Sequence, residues 1–75
     1  MNTEQLYRDL EQLLELDATT ITGTENLRDL SWDSLAVISF IAMMSGNYGI
    51  AIPVSKLKEA ATVADLAILV NAGSN

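Results

Sequence analysis

LSWDSLAVISFIAMM, residues Leu30–Met44, decides how this chain is read. A tryptophan and an aspartate lead into Ser34. Nine of the ten residues from Leu35 to Met44 are apolar, and Ser39 is the exception. The β-branched Val37, Ile38 and Ile41 would also suit a strand. Length, an aspartate cap and a Gly46-Asn47 stop favour a helix from Asp33 or Ser34 to about Ser45.

Upstream, Leu6, Leu10, Leu13 and Leu14 repeat at the spacing of one helix face, which predicts a first helix near residues 3–16. Asn2 or Thr3 caps it, and Glu4 sits in the first turn, where the helix dipole favours an anion. From Asp17 to Asp33 the period is lost. The segment DATTITGTENLRDLSWD is rich in Thr, Asp and Asn, whose side chains compete for backbone hydrogen bonds. It reads as a long loop anchored by Ile21, Leu27, Leu30 and Trp32. Long loops in small domains are often functional.

Downstream, Tyr48, Ile50 and Ile52 alternate briefly before Pro53. Ser55 is expected to cap a short third helix, SKLKEA. Thr62 and Asp65 form a short capping box for a fourth, with Val63, Leu66, Ala67 and Val70 facing inward. NAGSN reads as a tail. The expected fold is all-α: a small bundle of three main helices and one short one, in a single domain over residues 1–75, with a long loop between helices one and two.

The chain has 75 residues and a net charge of −6. That balance argues against nucleic acid, whose phosphates need a basic footprint. The acids lie early: Glu4, Asp9, Glu11, Glu15, Asp17, Glu25, Asp29 and Asp33 precede Ser34, and only Glu59 and Asp65 follow it. There is no Cys and no His. Disulfides, thiolate metal sites and the common nucleophile–base pairs are therefore excluded, and no metal site is expected. The start MNTEQLYRDL lacks a secretion signal, and no apolar run reaches the length of a membrane span. A cytoplasmic monomer without its own catalytic activity is the expectation.

A serine in the first turn of a helix sits among unpaired backbone N–H groups, where the dipole favours a phosphate by about 0.3–1 kcal/mol. On these grounds two readings of Asp33-Ser34 stand. In one, Asp33 caps the helix and Ser34 is an ordinary first-turn serine. In the other, Ser34 carries a phosphodiester.

The motif Asp33-Ser34-Leu35 resembles the attachment site of acyl carrier proteins. The resemblance extends along nearly the whole chain: L-R-D-L before the motif, Tyr48-Gly49 after the second helix, Ile52-Pro53 before a short helix, and Thr62-Val63 opening the last. It implies that a phosphopantetheinyl transferase moves 4'-phosphopantetheine from coenzyme A to the Ser34 hydroxyl, with Asp33 and Leu35 as motif flanks. The arm's thiol then carries an acyl group as a thioester among acyl-loading and acyl-using enzymes such as an acyltransferase, synthase or ligase. Leu35, Ile38, Ser39, Ala42 and Ile52 are the expected partner-contacting residues, and Ile52 and Val63 are also expected in the core. An aminoacyl (peptidyl-type) carrier and a non-carrier helical interaction module are the alternatives.

The chain departs from typical fatty-acid carriers, whose second helix is strongly acidic. Here Ala36, Ser39, Ser45, Gly46 and Asn47 stand where acids are common, and Lys56 and Lys58 enter the third helix. Leu27 and Leu30 lie a residue closer than usual, and Trp32 replaces a small residue. Either the second helix is simply buried more deeply, or the partners differ; on the second reading a dedicated carrier for a specialised lipid, polyketide or polysaccharide-modifying route is expected, with Met43 and Met44 lending the helix an adaptable surface.

Overall fold

The computed structural model describes residues 2–73. Four α-helices follow one another: α1 (Thr3–Leu13), α2 (Ser34–Met43), α3 (Val54–Glu59) and α4 (Val63–Gly73). Among the described residues there is no strand, and Asn26 and Thr62 form one isolated antiparallel bridge. The small all-α bundle expected from the sequence is the fold.

Asn2 starts α1, its Oδ1 accepting the Glu4 N–H at 2.7 Å. The helix buries Leu6 and Leu10 and stops at Leu13, three residues before the expected end. The stop is a turn in which Glu15 takes a left-handed conformation (φ +58°). Leu16 N–H then donates to Glu11 O at 2.7 Å, and Glu15 N–H to Gln12 O at 3.3 Å. That pairing is the Schellman closure of a helix end, made here by a glutamate where glycine is usual.

The segment between α1 and α2 is ordered by polar contacts. Glu11 is only 3% exposed. Its Oε2 accepts the Ile21 N–H at 2.9 Å and pairs with Arg8 Nη2 at 3.2 Å. The same Arg8 Nη2 donates to Ile21 O at 2.9 Å. Both backbone groups of Ile21 are thus held from α1. Further on, Glu25 accepts from Thr22 N–H, Gly23 N–H and the Thr22 hydroxyl, each at 2.9 Å. Gly23 sits at φ +109°, where an added Cβ would overlap the Tyr7 hydroxyl, so both conformation and space call for glycine. Leu27 N–H reaches Ala61 O (2.9 Å) and Val63 N–H reaches Glu25 O (3.1 Å), tying the loop to the start of α4. Leu27–Leu30 coil into a 3-10 turn that the polar composition did not announce. Ile21 and Leu27 are buried, and Leu30 and Trp32 pack half-buried on the core.

The second helical run passes the expected stop. Gly46 and Asn47 continue it as a π-helical turn, Met44–Tyr48, and Gly49 (φ +66°) ends it. The Tyr48 hydroxyl donates to Asp9 on α1, and Ile50 turns back into the core. That hydrogen bond, with burial and the Asp9 charge, raises the Tyr48 hydroxyl above its ordinary pKa. α3 begins one residue earlier than expected. Lys56 and Leu57 N–H groups bond Pro53 O, so Pro53 rather than Ser55 stands at its cap. α4 starts on the expected box: Asp65 N–H donates to Thr62 Oγ1 (3.3 Å), and Thr62 N–H to Asp65 Oδ2 (3.1 Å). Donation from Ala61 and Thr62 N–H groups holds the Asp65 carboxyl below its ordinary pKa. Of the expected tail, Asn71–Gly73 are helical, and Ser74 and Asn75 lie outside the described residues.

Burial opposes ionisation of Glu25, but the three donors from Thr22 and Gly23, with its own N–H, outweigh it and lower its pKa from 4.5 to about 2. A depressed carboxylate contributes stability above its unfolded pKa and loses it as pH falls through the folded one. Glu25→Gln is therefore expected to cost stability at pH 6. The gap from wild type, measured by chemical denaturation, narrows progressively between pH 4.5 and about 2.

Candidate functional site

α2 opens where the pinned loop delivers Asp33. Asp33 has extended backbone, and its Oδ1 accepts the Ala36 N–H at 2.9 Å. The aspartate satisfies one of the free donors of the first turn. Its neighbour Ser34 is exposed, and its hydroxyl makes no hydrogen bond among the described residues. The helix start thus spends Asp33 on the cap and leaves the Ser34 oxygen free.

The helix sits firmly under that hydroxyl. Ala36, Val37 and Phe40 are buried, and Phe40 is 0% exposed. Trp32, just before the cap, meets Phe40 edge to face, with centroids 5.6 Å apart and planes at 73°. Such a pair contributes about 0.5–1.5 kcal/mol beyond area burial. Trp32 thereby joins the residues before Ser34 to the helix after it. Its Nε1–H is buried without an acceptor among the described residues.

A hollow of about 320 Å³ opens beside Ser34, lined by Trp32, Asp33, Ser34, Val37 and Lys58. Lys58 comes from the last turn of α3. An exposed unbonded hydroxyl and a cation lining the same hollow fit a phosphodiester.

The expected site residues divide clearly. Ser34, Asp33 and Leu35 come together at the start of α2. Leu35 (72% exposed) and Ile38 (61%) stand outward, and Ser39 and Ala42 are exposed on the same side. Ile52 is buried with Val63 in the core, so it does not share that surface. Met44 is fully buried, which corrects the expectation of a two-methionine surface, and Met43 is only half-buried. The helix rotates Met44 onto the face of Val37 and Phe40, at spacings of seven and four. Lys58 at the site was not anticipated. The only sequence signal was its unusual sign in the third helix, and its place beside Ser34 depends on how α3 packs.

Residues 4–70 match the family model for the phosphopantetheine attachment site. The match covers most of the chain, which therefore belongs to this family of phosphopantetheine-bearing carrier proteins, the acyl carrier protein family. Members are modified covalently with 4'-phosphopantetheine, and their carrier domains are typically non-catalytic substrates of a phosphopantetheinyl transferase and of acyl-handling enzymes. No curated protein and no solved structure matches the chain. No helix among the described residues is long and apolar enough to cross a membrane.

Asp33→Ala removes the only side-chain cap of α2 and is expected to cost about 1 kcal/mol of unfolding free energy. Asp33→Asn keeps an acceptor oxygen and should lose no more than a few tenths. Urea denaturation of the unmodified protein measures both.

Proposed function

We propose that Ser34 is the residue that takes the 4'-phosphopantetheine arm, and that the chain is a non-catalytic carrier of acyl groups in a specialised lipid, polyketide or polysaccharide-modifying pathway. The observation that carries the attachment is the free hydroxyl of Ser34 at the first turn of a helix whose cap is supplied by its neighbour. Ser34 offers its oxygen to the transferase without having to break an internal hydrogen bond. Asp33 fixes the turn that presents it. Leu35, one residue on, supplies an exposed apolar contact beside the attachment point. Once attached, the arm supplies the thiol that this Cys-free chain lacks, and that thiol holds cargo as a thioester.

The specialised assignment rests on α2. No residue from Ser34 to Met43 is charged. Leu35, Ile38, Ser39 and Ala42 therefore offer partners an apolar, low-charge face. An acidic helix attracts basic enzyme patches over several ångströms, and salt screens that attraction. This face works through contact area, so its partners carry a complementary apolar patch instead of a basic one.

Two measurements test these assignments. Incubation with coenzyme A and a broad-specificity phosphopantetheinyl transferase should add one phosphopantetheine to the intact mass, and Ser34→Ala should abolish the addition. An unchanged mass for wild type, or an adduct on the alanine variant, would refute the attachment. Raising salt from about 0.05 to about 0.5 M should change loading by the cognate acyl-handling enzyme less than about threefold. Efficient loading by a general fatty-acid enzyme set with a steep loss at high salt would refute the specialised assignment.

A further inference from the structure

Lys58 faces the same hollow as Ser34, yet it forms no ion pair among the described residues. It stands in the last turn of α3, and α3 packs against α2. Lys56 lies two residues away but lines hollows on the α4 side. The two lysines of one short helix thus line different hollows, and Lys58 shares its hollow with Ser34.

We propose that Lys58 is the counter-ion of the phosphodiester on Ser34, and that the hollow it shares with Trp32 and Val37 seats the first part of the arm along the protein surface. The inference rests on Ser34 being the attachment residue. Three observations carry it. A phosphodiester on Ser34 Oγ bears one negative charge at neutral pH at the edge of this hollow, and Lys58 is the only cation lining it among the described residues. The only other charge there is Asp33, whose Oδ1 is already occupied by the Ala36 N–H. Trp32 and Val37 complete the lining of the hollow. The floor of Val37 and the Trp32 ring gives the arm's methylene groups an apolar surface.

Lys58 also lies near the carbonyl end of α3, where any cation is favoured. That structural role is independent of the arm, and this separates the two. The protein is prepared unloaded and loaded, as wild type, Lys58→Gln, Lys58→Glu and Lys58→Arg. Phosphorus NMR of the diester and thermal unfolding are then recorded. With Lys58 as counter-ion, Lys58→Gln moves the phosphorus resonance and lowers the unfolding midpoint of the loaded protein by roughly 1–5 °C more than that of the unloaded protein. Lys58→Glu does so further, Lys58→Arg restores both, and about 1 M salt erases the difference. Trp32 is the only tryptophan, so its emission reports the hollow and shifts on loading. Equal midpoint losses with and without the arm, an unmoved phosphorus resonance, or an unshifted emission in loaded protein would overturn the seat while leaving Ser34 as the attachment site. Protein whose mass shows no adduct at Ser34 overturns the attachment and the seat together.

Discussion

A single buried carboxylate organises the part of this molecule that matters for its function. Glu11 reaches from α1 to the Ile21 N–H, and Arg8, paired with it, takes the Ile21 carbonyl. A charge this buried is tolerable only when paired and hydrogen-bonded, and here it is both. That grip fixes the connection from Leu14 to Asp33 at Ile21. With it, and with the Leu27–Ala61 and Val63–Glu25 hydrogen bonds further on, the connection has fixed points on both α1 and α4. Asp33 then arrives at one place, and α2 starts there.

α2 itself is apolar on every side, a pattern that normally belongs to a fully buried helix. It is not fully buried. Val37, Phe40 and Met44 serve the core, and Leu35 and Ile38 remain outside. Exposed apolar side chains gathered on one helix face favour contact with a partner. This face lies next to Ser34, the residue proposed to bear the arm. The charge distribution agrees. The acids are gathered on α1 and the loop, where several act as caps and clamps, and α2 carries no charge.

Much of this was legible in the sequence because it is local. The leucine spacing of α1, the Asp33 cap and the Thr62–Asp65 box are each written within one or two turns. The family was legible through the Asp33-Ser34-Leu35 motif and its flanks. What escaped reading depends on distant partners. Glu11 looks like any helix-surface acid until Ile21 folds over it. The end of α1 was placed late because Glu15, a poor left-handed residue, makes the turn once Leu16 bonds back to Glu11. Gly46 looked like a stop, but the left-handed conformation falls on Gly49, where Ile50 must turn inward. Composition alone does not separate Met44 from Met43, and the rotation of the helix puts Met44 in the core. Lys58 reaches the site only through the packing of α3 on α2, which no local pattern encodes.

Native-state hydrogen exchange on the unmodified protein tests the fixed loop most directly. If the loop is pinned to α1 and α4, the Ile21, Leu27 and Val63 amides exchange as slowly as those in the interior of α1, such as Leu10. If Ile21 and Leu27 exchange at the rates of an open chain while Leu10 stays protected, the loop is not held. Ser34 would then not be presented from a rigid platform.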